Sequence, residues 1–265
     1  MGRKSLHLLL GFLAMLVMIA CQQSPPALQT NSQPTTLLVA AAASLQAALQ
    51  EITPLFQQAG ENRSVNYNFA ASGALQQQIE QGAPVDVFIS AANKQMDALE
   101  QKNLLLSNTR QPLLTNRLVL VTPKNSTVEL TDFRQLVRPE VRRIAIGEPR
   151  SVPAGQYATE VLEKLGVLEQ VQSKFVRGNS VKSVLAAVES GDAEAGIVYQ
   201  TDASSSDQVN VAATAEEQLH SPISYPIAIL KSSQAPESAK AYVEFLQSDA
   251  ATVVFQKYGF GIAQP

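Results

Sequence analysis

From residue 37 onward the chain alternates short apolar runs with stretches of helical spacing, and no other feature restricts its fold so strongly. Leu37-Leu38-Val39 reads as a strand, and Leu45, Leu49, Ile52 and Phe56, spaced by four, three and four, line one face of a helix. Pro54 falls inside that spacing, so a kink or a restart capped by Thr53 is expected. Val65, Tyr67 and Phe69 alternate as a half-buried strand does, and Ala71-Ser72-Gly73 then opens a helix that Gly82 stops. Residues 85–90 make a third strand, followed by a helix over 93–101.

A second block begins at Leu118-Val119-Leu120-Val121, passes a helix near 131–136 and reaches the strand Ile144-Ala145-Ile146. The loop 147–154 carries Pro149 and Pro153 and feeds a helix through Tyr157, Val161, Leu162 and Leu165, closed by Gly166. Phe175-Val176 leads into a helix with Val181, Val184, Leu185 and Val188, and Ile197-Val198-Tyr199 is another strand. The polar run 202–207 reads as a surface loop, 223–230 as a strand, and 236–246 and 249–258 as two final helices. This alternation predicts an α/β architecture of mostly parallel sheets covered on both faces. A chain of 265 residues is long enough for two such units.

The N-terminus is of another kind. Arg3 and Lys4 precede an apolar stretch over 8–20, too short to span a bilayer but of the length of a signal-peptide core. It ends in Met18-Ile19-Ala20-Cys21, which resembles the lipobox of bacterial lipoproteins, with Cys21 the lipidated first mature residue. Residues 22–35, rich in Gln, Ser, Pro and Thr, read as a flexible tether. The formal net charge of -3 becomes about -5 once Arg3 and Lys4 are removed. Such a chain has no basic field to hold nucleic acid. With 2 His and 1 Cys it can build neither a Cys/His zinc cluster nor an internal disulfide.

In sheets of this kind ligands sit beyond the carboxyl ends of strands, where helix N-termini converge. Ser44, Ser72, Ala154 and Val181 each follow a strand or its loop and open a helix, and Tyr199 ends a strand. None carries a formal charge, and each can present a hydroxyl or a backbone N–H. Several helix N-termini aimed at one point bind an anion without lysine or arginine. A site of donors alone also rejects a protonated oxyanion, whose O–H finds no acceptor. Each residue has an ordinary structural role as well: the serines as helix caps, Tyr199 and Val181 as core, and Val152-Pro153-Ala154-Gly155 as a turn into a helix.

Ala41-Ala42-Ala43-Ser44-Leu45, Phe69-Ala70-Ala71-Ser72-Gly73-Ala74-Leu75, residues 82–91, Val152-Pro153-Ala154-Gly155 and Gly196-Ile197-Val198-Tyr199 resemble, in order and spacing, the molybdate-binding proteins that deliver oxyanion to ABC importers. Tyr225-Pro226 and Tyr258-Gly259-Phe260 extend the resemblance, which covers residues 36–263. It implies a type II periplasmic-binding-protein fold, with lobe 1 over 36–116 and 221–265, lobe 2 over 117–220, and the ligand in the cleft between them. It also implies a dianion, molybdate or tungstate, held by Ser44, Ser72, Ala154, Val181 and Tyr199, no cofactor, and an ABC permease as partner. The protein is then exported and lipid-anchored through Cys21, on the outer face of the cytoplasmic membrane or in the periplasm, and a monomer is expected. Asp86 would brace loops, since it would repel an anion. Competing readings are a receptor for another oxyanion such as sulfate, and an exported serine hydrolase. The latter lacks a base, because His7 lies in the leader and only His220 remains.

Overall fold

The computed structural model describes residues 35–60 and 63–264. The leader, Cys21 and, Thr35 excepted, the tether lie outside the described residues. In chain order the first part runs β1 (Thr35–Ala42), a 3-10 turn (Ala43–Leu45), α1 (Gln46–Gln58), β2 (Arg63–Ala70), α2 (Ser72–Glu80), β3 (Val87–Ile89), α3 (Asn93–Gln101) and β4 (Gln111–Thr115). The middle contains β5 (Leu118–Pro123), β6 (Ile144–Gly147), α4 (Pro153–Lys164), α5 (Leu168–Val171), β7 (Phe175–Gly178), α6 (Val181–Glu189), β8 (Ala195–Tyr199), α7 (Gln200–Ser204) and β9 (Val209–Thr214). β10 (Ser224–Ile229), α8 (Pro236–Leu246), α9 (Asp249–Lys257) and β11 (Gly261–Ile262) complete it.

The strands form two sheets, ordered β11-β4-β10-β3-β1-β2 and β7-β6-β8-β5-β9. The chain passes from the first sheet to the second at Asn116-Arg117 and returns between β9 and β10. Parallel pairing is confined to β1 with β2 and β3, and to β6 with β7 and β8. The sheets are therefore mixed rather than mostly parallel. β5 and β10, the first strand after each passage, enter their sheets antiparallel to β8 and β3. The strands β4, β9 and β11, unanticipated from periodicity, pair as antiparallel edges or next to them, where one face meets water and the apolar pattern is weak.

Other local expectations needed correction. α1 runs unbroken through Pro54, and Thr53 caps no second helix. Its hydroxyl instead donates back to the Leu49 carbonyl at 2.7 Å. Leu49, Ile52 and Phe56 are fully or almost fully buried, and this packing offsets the one backbone bond that proline removes. The segment near 131–136 is a 3-10 turn, Phe133–Val137, capped by Asp132, which accepts from the Arg134 N–H at 2.6 Å. The polar run 202–207 begins inside α7, where Asp202 is fully buried. Asp86 braces its surroundings as expected: one carboxylate oxygen accepts from the Leu38 N–H at 2.8 Å and the other from the Ser233 hydroxyl at 2.6 Å.

Candidate functional site

Six parallel strand ends point at one place. The segments just beyond β1, β2 and β3 supply Ser44, Ser72 and Ala91, those beyond β6 and β7 supply Val152 to Ala154 and Val181, and Tyr199 is the last residue of β8. Together with Ala42, Ala43, Ala70 and Ala71 they line a cavity between the two sheets, so the structure brings all five sequence-selected residues together. The cavity is nearly closed, with about 10 Å³ of space, about what a single water needs. Two wider grooves of about 610 and 530 Å³ flank the passages between the sheets and hold none of the five.

Three helices begin at the cavity wall, and two begin uncapped. The N-cap positions of α2 and α4 are Ala71 and Val152, neither of which makes a side-chain cap bond. In their first turns the Gly73 N–H donates to the Ser151 carbonyl and the Gly155 N–H to the Val152 carbonyl, each at 2.9 Å, while Ser72 and Ala154 line the cavity at helix ends that carry partial positive charge. Ser72 is the first residue of α2 and not its cap, and Ser44 lies within the 3-10 turn ahead of α1, so neither serves as a helix cap. α6 is different, since Ser180 and Ser183 form a capping box that fixes the helix start, with Val181 in its first position.

The side chains are polarised as donors. Ser72 Oγ accepts from the Ala91 N–H at 2.9 Å, which leaves its own proton for the cavity. Ser44 Oγ lies 2.9 Å from the Tyr225 hydroxyl. The Tyr199 hydroxyl donates to the Ala91 carbonyl at 3.5 Å, a long bond readily exchanged for a better acceptor. Burial pushes the Tyr199 phenol well above its usual pKa, so it stays a neutral donor at physiological pH. None of the residues lining the cavity carries a formal charge. Arg150, in an exposed turn, and Arg177, exposed in β7, lie outside it beside Glu148. Among the described residues no group of three or more His, Cys, Asp or Glu could hold a cation.

Behind this wall Lys182, second in α6, reaches Asp202 in α7 at 3.0 Å. The pair ties the helix that opens at Val181 to the one that follows Tyr199, a link invisible to a reading of 202–207 as a loop. Burial raises the Asp202 pKa above the ordinary range, and Lys182 partly opposes that. A carboxyl whose folded pKa is raised binds its proton more tightly folded than unfolded. Its penalty is absent below the unfolded pKa and grows as pH rises toward the folded one. Lys182→Met should therefore cost little near pH 4 and about 2–4 kcal/mol at pH 7, the lysine being partly exposed. Urea unfolding across that range checks this, and a cost independent of pH would contradict it.

A two-lobed binding fold with a small, uncharged, donor-lined cavity between its sheets defines a receptor for a small anion. The chain belongs to the bacterial extracellular solute-binding proteins, whose family pattern matches residues 37–261. It is 40% identical over 247 residues, 93% of this chain and 94% of the relative, to the putative ABC transporter substrate-binding lipoprotein YvgL of Bacillus subtilis (strain 168). It is 39% identical to the molybdate-binding protein ModA of Haemophilus influenzae (strain ATCC 51907 / DSM 11121 / KW20 / Rd), covering 84% of this chain and 88% of that one. A solved substrate-binding domain of a putative molybdenum ABC transporter from Clostridium difficile superposes with a TM-score of 0.68 at 41% identity, covering 86% and 99% of the two chains. The fold is that of the type II periplasmic binding proteins.

Proposed function

We propose that this protein captures molybdate, and tungstate nearly as well, between its lobes and presents it to an ABC transporter permease. The observation that carries the reading is the convergence of Ser44, Ser72, Ala154, Val181 and Tyr199 on one uncharged cavity at the carboxyl ends of parallel strands. In this reading two hydroxyls from the first lobe, the Tyr199 hydroxyl and the Ala154 and Val181 N–H groups surround the dianion. Each hydrogen bond to a charged group contributes about 1.5–3 kcal/mol, enough together to offset desolvation. Molybdate and tungstate are nearly alike in size and charge, and a donor-only cavity separates them poorly, whereas smaller sulfate cannot satisfy every donor at once. In this reading the lobes comprise 36–116 with 221–265, and 117–220, a division that the membership of the two sheets supports.

The same reading has residues 1–20 removed on export and Cys21 lipidated, with 22–35 as tether. Two or more acyl chains anchor a protein stably, at about 0.8 kcal/mol per buried CH₂. The name of the Bacillus relative, a substrate-binding lipoprotein, supports this assignment. A hydrolase at Ser44 or Ser72 has no base beside it, since His220 lines the separate groove of about 530 Å³ and sets Nδ1 2.8 Å from the Ser221 carbonyl.

Titration calorimetry of residues 22–265 with molybdate, tungstate, sulfate and phosphate tests the ligand. One-to-one binding of the first two, with the others weak or silent, is the expected result. Preferential binding of sulfate or phosphate would keep the fold and overturn the ligand. Cys21→Ala should move the protein from the membrane fraction to the soluble fraction, and retention at the membrane would remove the anchor assignment.

A further inference from the structure

The Ser44 hydroxyl belongs to a hydrogen-bonded chain whose far end lies outside the cavity. Asn116 stands at the first passage between the sheets, one residue past β4. Its side-chain oxygen accepts from the Arg117 N–H at 2.8 Å, which fixes the orientation of the amide. Its NH₂ group therefore faces the other way, donating to Thr201 Oγ1 at 2.9 Å and to the Tyr225 hydroxyl at 3.2 Å. An amide NH₂ can only donate, so the Tyr225 oxygen accepts from it. Tyr225 then has its single proton to give, and the group 2.9 Å away is Ser44 Oγ. Tyr225 is fully buried, and burial holds its phenol protonated. A Tyr225 proton given to Ser44 Oγ leaves the Ser44 proton for the cavity that Ser44 lines.

We propose that Asn116, acting through Tyr225, is a positioning residue that fixes Ser44 as a donor toward the ligand, an inference that rests on the oxyanion reading above. The direction of three bonds is set by one backbone N–H, that of Arg117, at a site the ligand never touches. The relay bears on selectivity as well as affinity. A Ser44 free to rotate could offer a lone pair to the O–H of a protonated oxyanion, and a Ser44 with its proton fixed inward cannot.

Asn116→Asp has the same shape and reverses the chain. A carboxylate only accepts, so the Tyr225 proton turns toward residue 116, the Tyr225 oxygen accepts from Ser44, and the Ser44 lone pair faces the anion. The test is a double-substitution cycle on the full-length protein, processed in the cell and purified in detergent, with molybdate binding read by calorimetry. In the Ser44-containing protein Asn116→Asp is expected to weaken binding about tenfold or more, the worth of one hydrogen bond to a charged group. In the Ser44→Ala background the same substitution should cost less than about threefold, because no hydroxyl remains to be turned. Added charge or a shifted passage would act alike in both backgrounds. An equal penalty in both, or none in either, overturns the relay. Tyr225→Phe provides the same cycle should the aspartate variant not fold, with a loss confined to the Ser44-containing protein expected. An unsubstituted protein that gives no heat with molybdate overturns the oxyanion reading and the relay with it. One that binds while the penalties stay equal overturns the relay alone.

Discussion

Gly73→Val should weaken molybdate binding about 5- to 150-fold while leaving the ligand-free protein folded. Gly73 is the second residue of α2, and its N–H donates to the Ser151 carbonyl, ahead of α4 in the other lobe, at 2.9 Å. A Cβ at this position would lie 2.6 Å from the Ser151 carbonyl oxygen and 2.7 Å from its Cα. Both are backbone atoms and cannot rotate aside. The glycine has no positive φ, so its backbone accepts a side chain, and the near contacts that a Cβ would meet are with Ser151. Forcing extra carbon into such a contact costs about 1–3 kcal/mol, which gives the stated loss of affinity. Gly73→Ala sharpens the test. In a helix alanine is favoured over glycine by about 0.5–1 kcal/mol, so ligand-free thermal stability should hold or rise while affinity falls. A variant that binds as the parent does would show that the Gly73 contact plays no part in closing on the ligand.

Ser72→Ala should weaken molybdate binding about 10- to 150-fold, the range for one hydrogen bond to a charged group. Ser72 is fully buried, and its Oγ already accepts from the Ala91 N–H. On the proposed reading alanine removes a donor to the anion, and it strands the Ala91 N–H as well. The second loss should lower stability by about 1–3 kcal/mol, read by urea unfolding of the ligand-free protein. Binding and stability are thus expected to fall together here, in contrast to the glycine variants. Unchanged affinity in the folded variant would remove Ser72 from the site.

The two sets of consequences differ in how far the primary structure reveals them. Ser44, Ser72, Val181 and Tyr199 were legible because each stands at a switch from strand to helix period, and such switches are local. Ala154 was legible through the proline that opens its helix. Asn116, Tyr225 and Gly73 carried no comparable signal as participants. A Tyr-Pro pair in a strand and a glycine at a helix start are ordinary, and Asn116 is one polar residue between two strands. Asp202 was misplaced outright. A polar run reads as solvent-facing unless its partner is known, and Lys182 lies twenty residues earlier on another helix.

What the sequence by itself determined is the succession of strand–helix units and the uncharged, hydroxyl- and amide-bearing residues at their junctions, because periodicity and helix starts are properties of contiguous residues. Tertiary structure alone decided which strand ends meet, which strands enter antiparallel, and which way each hydroxyl points. Those outcomes depend on contacts such as Ser44 with Tyr225, separated by 181 residues, and Asn116 with Thr201, separated by 85. Hydrogen-bond direction is a property of the whole chain of partners, and it exists only once the fold has assembled them.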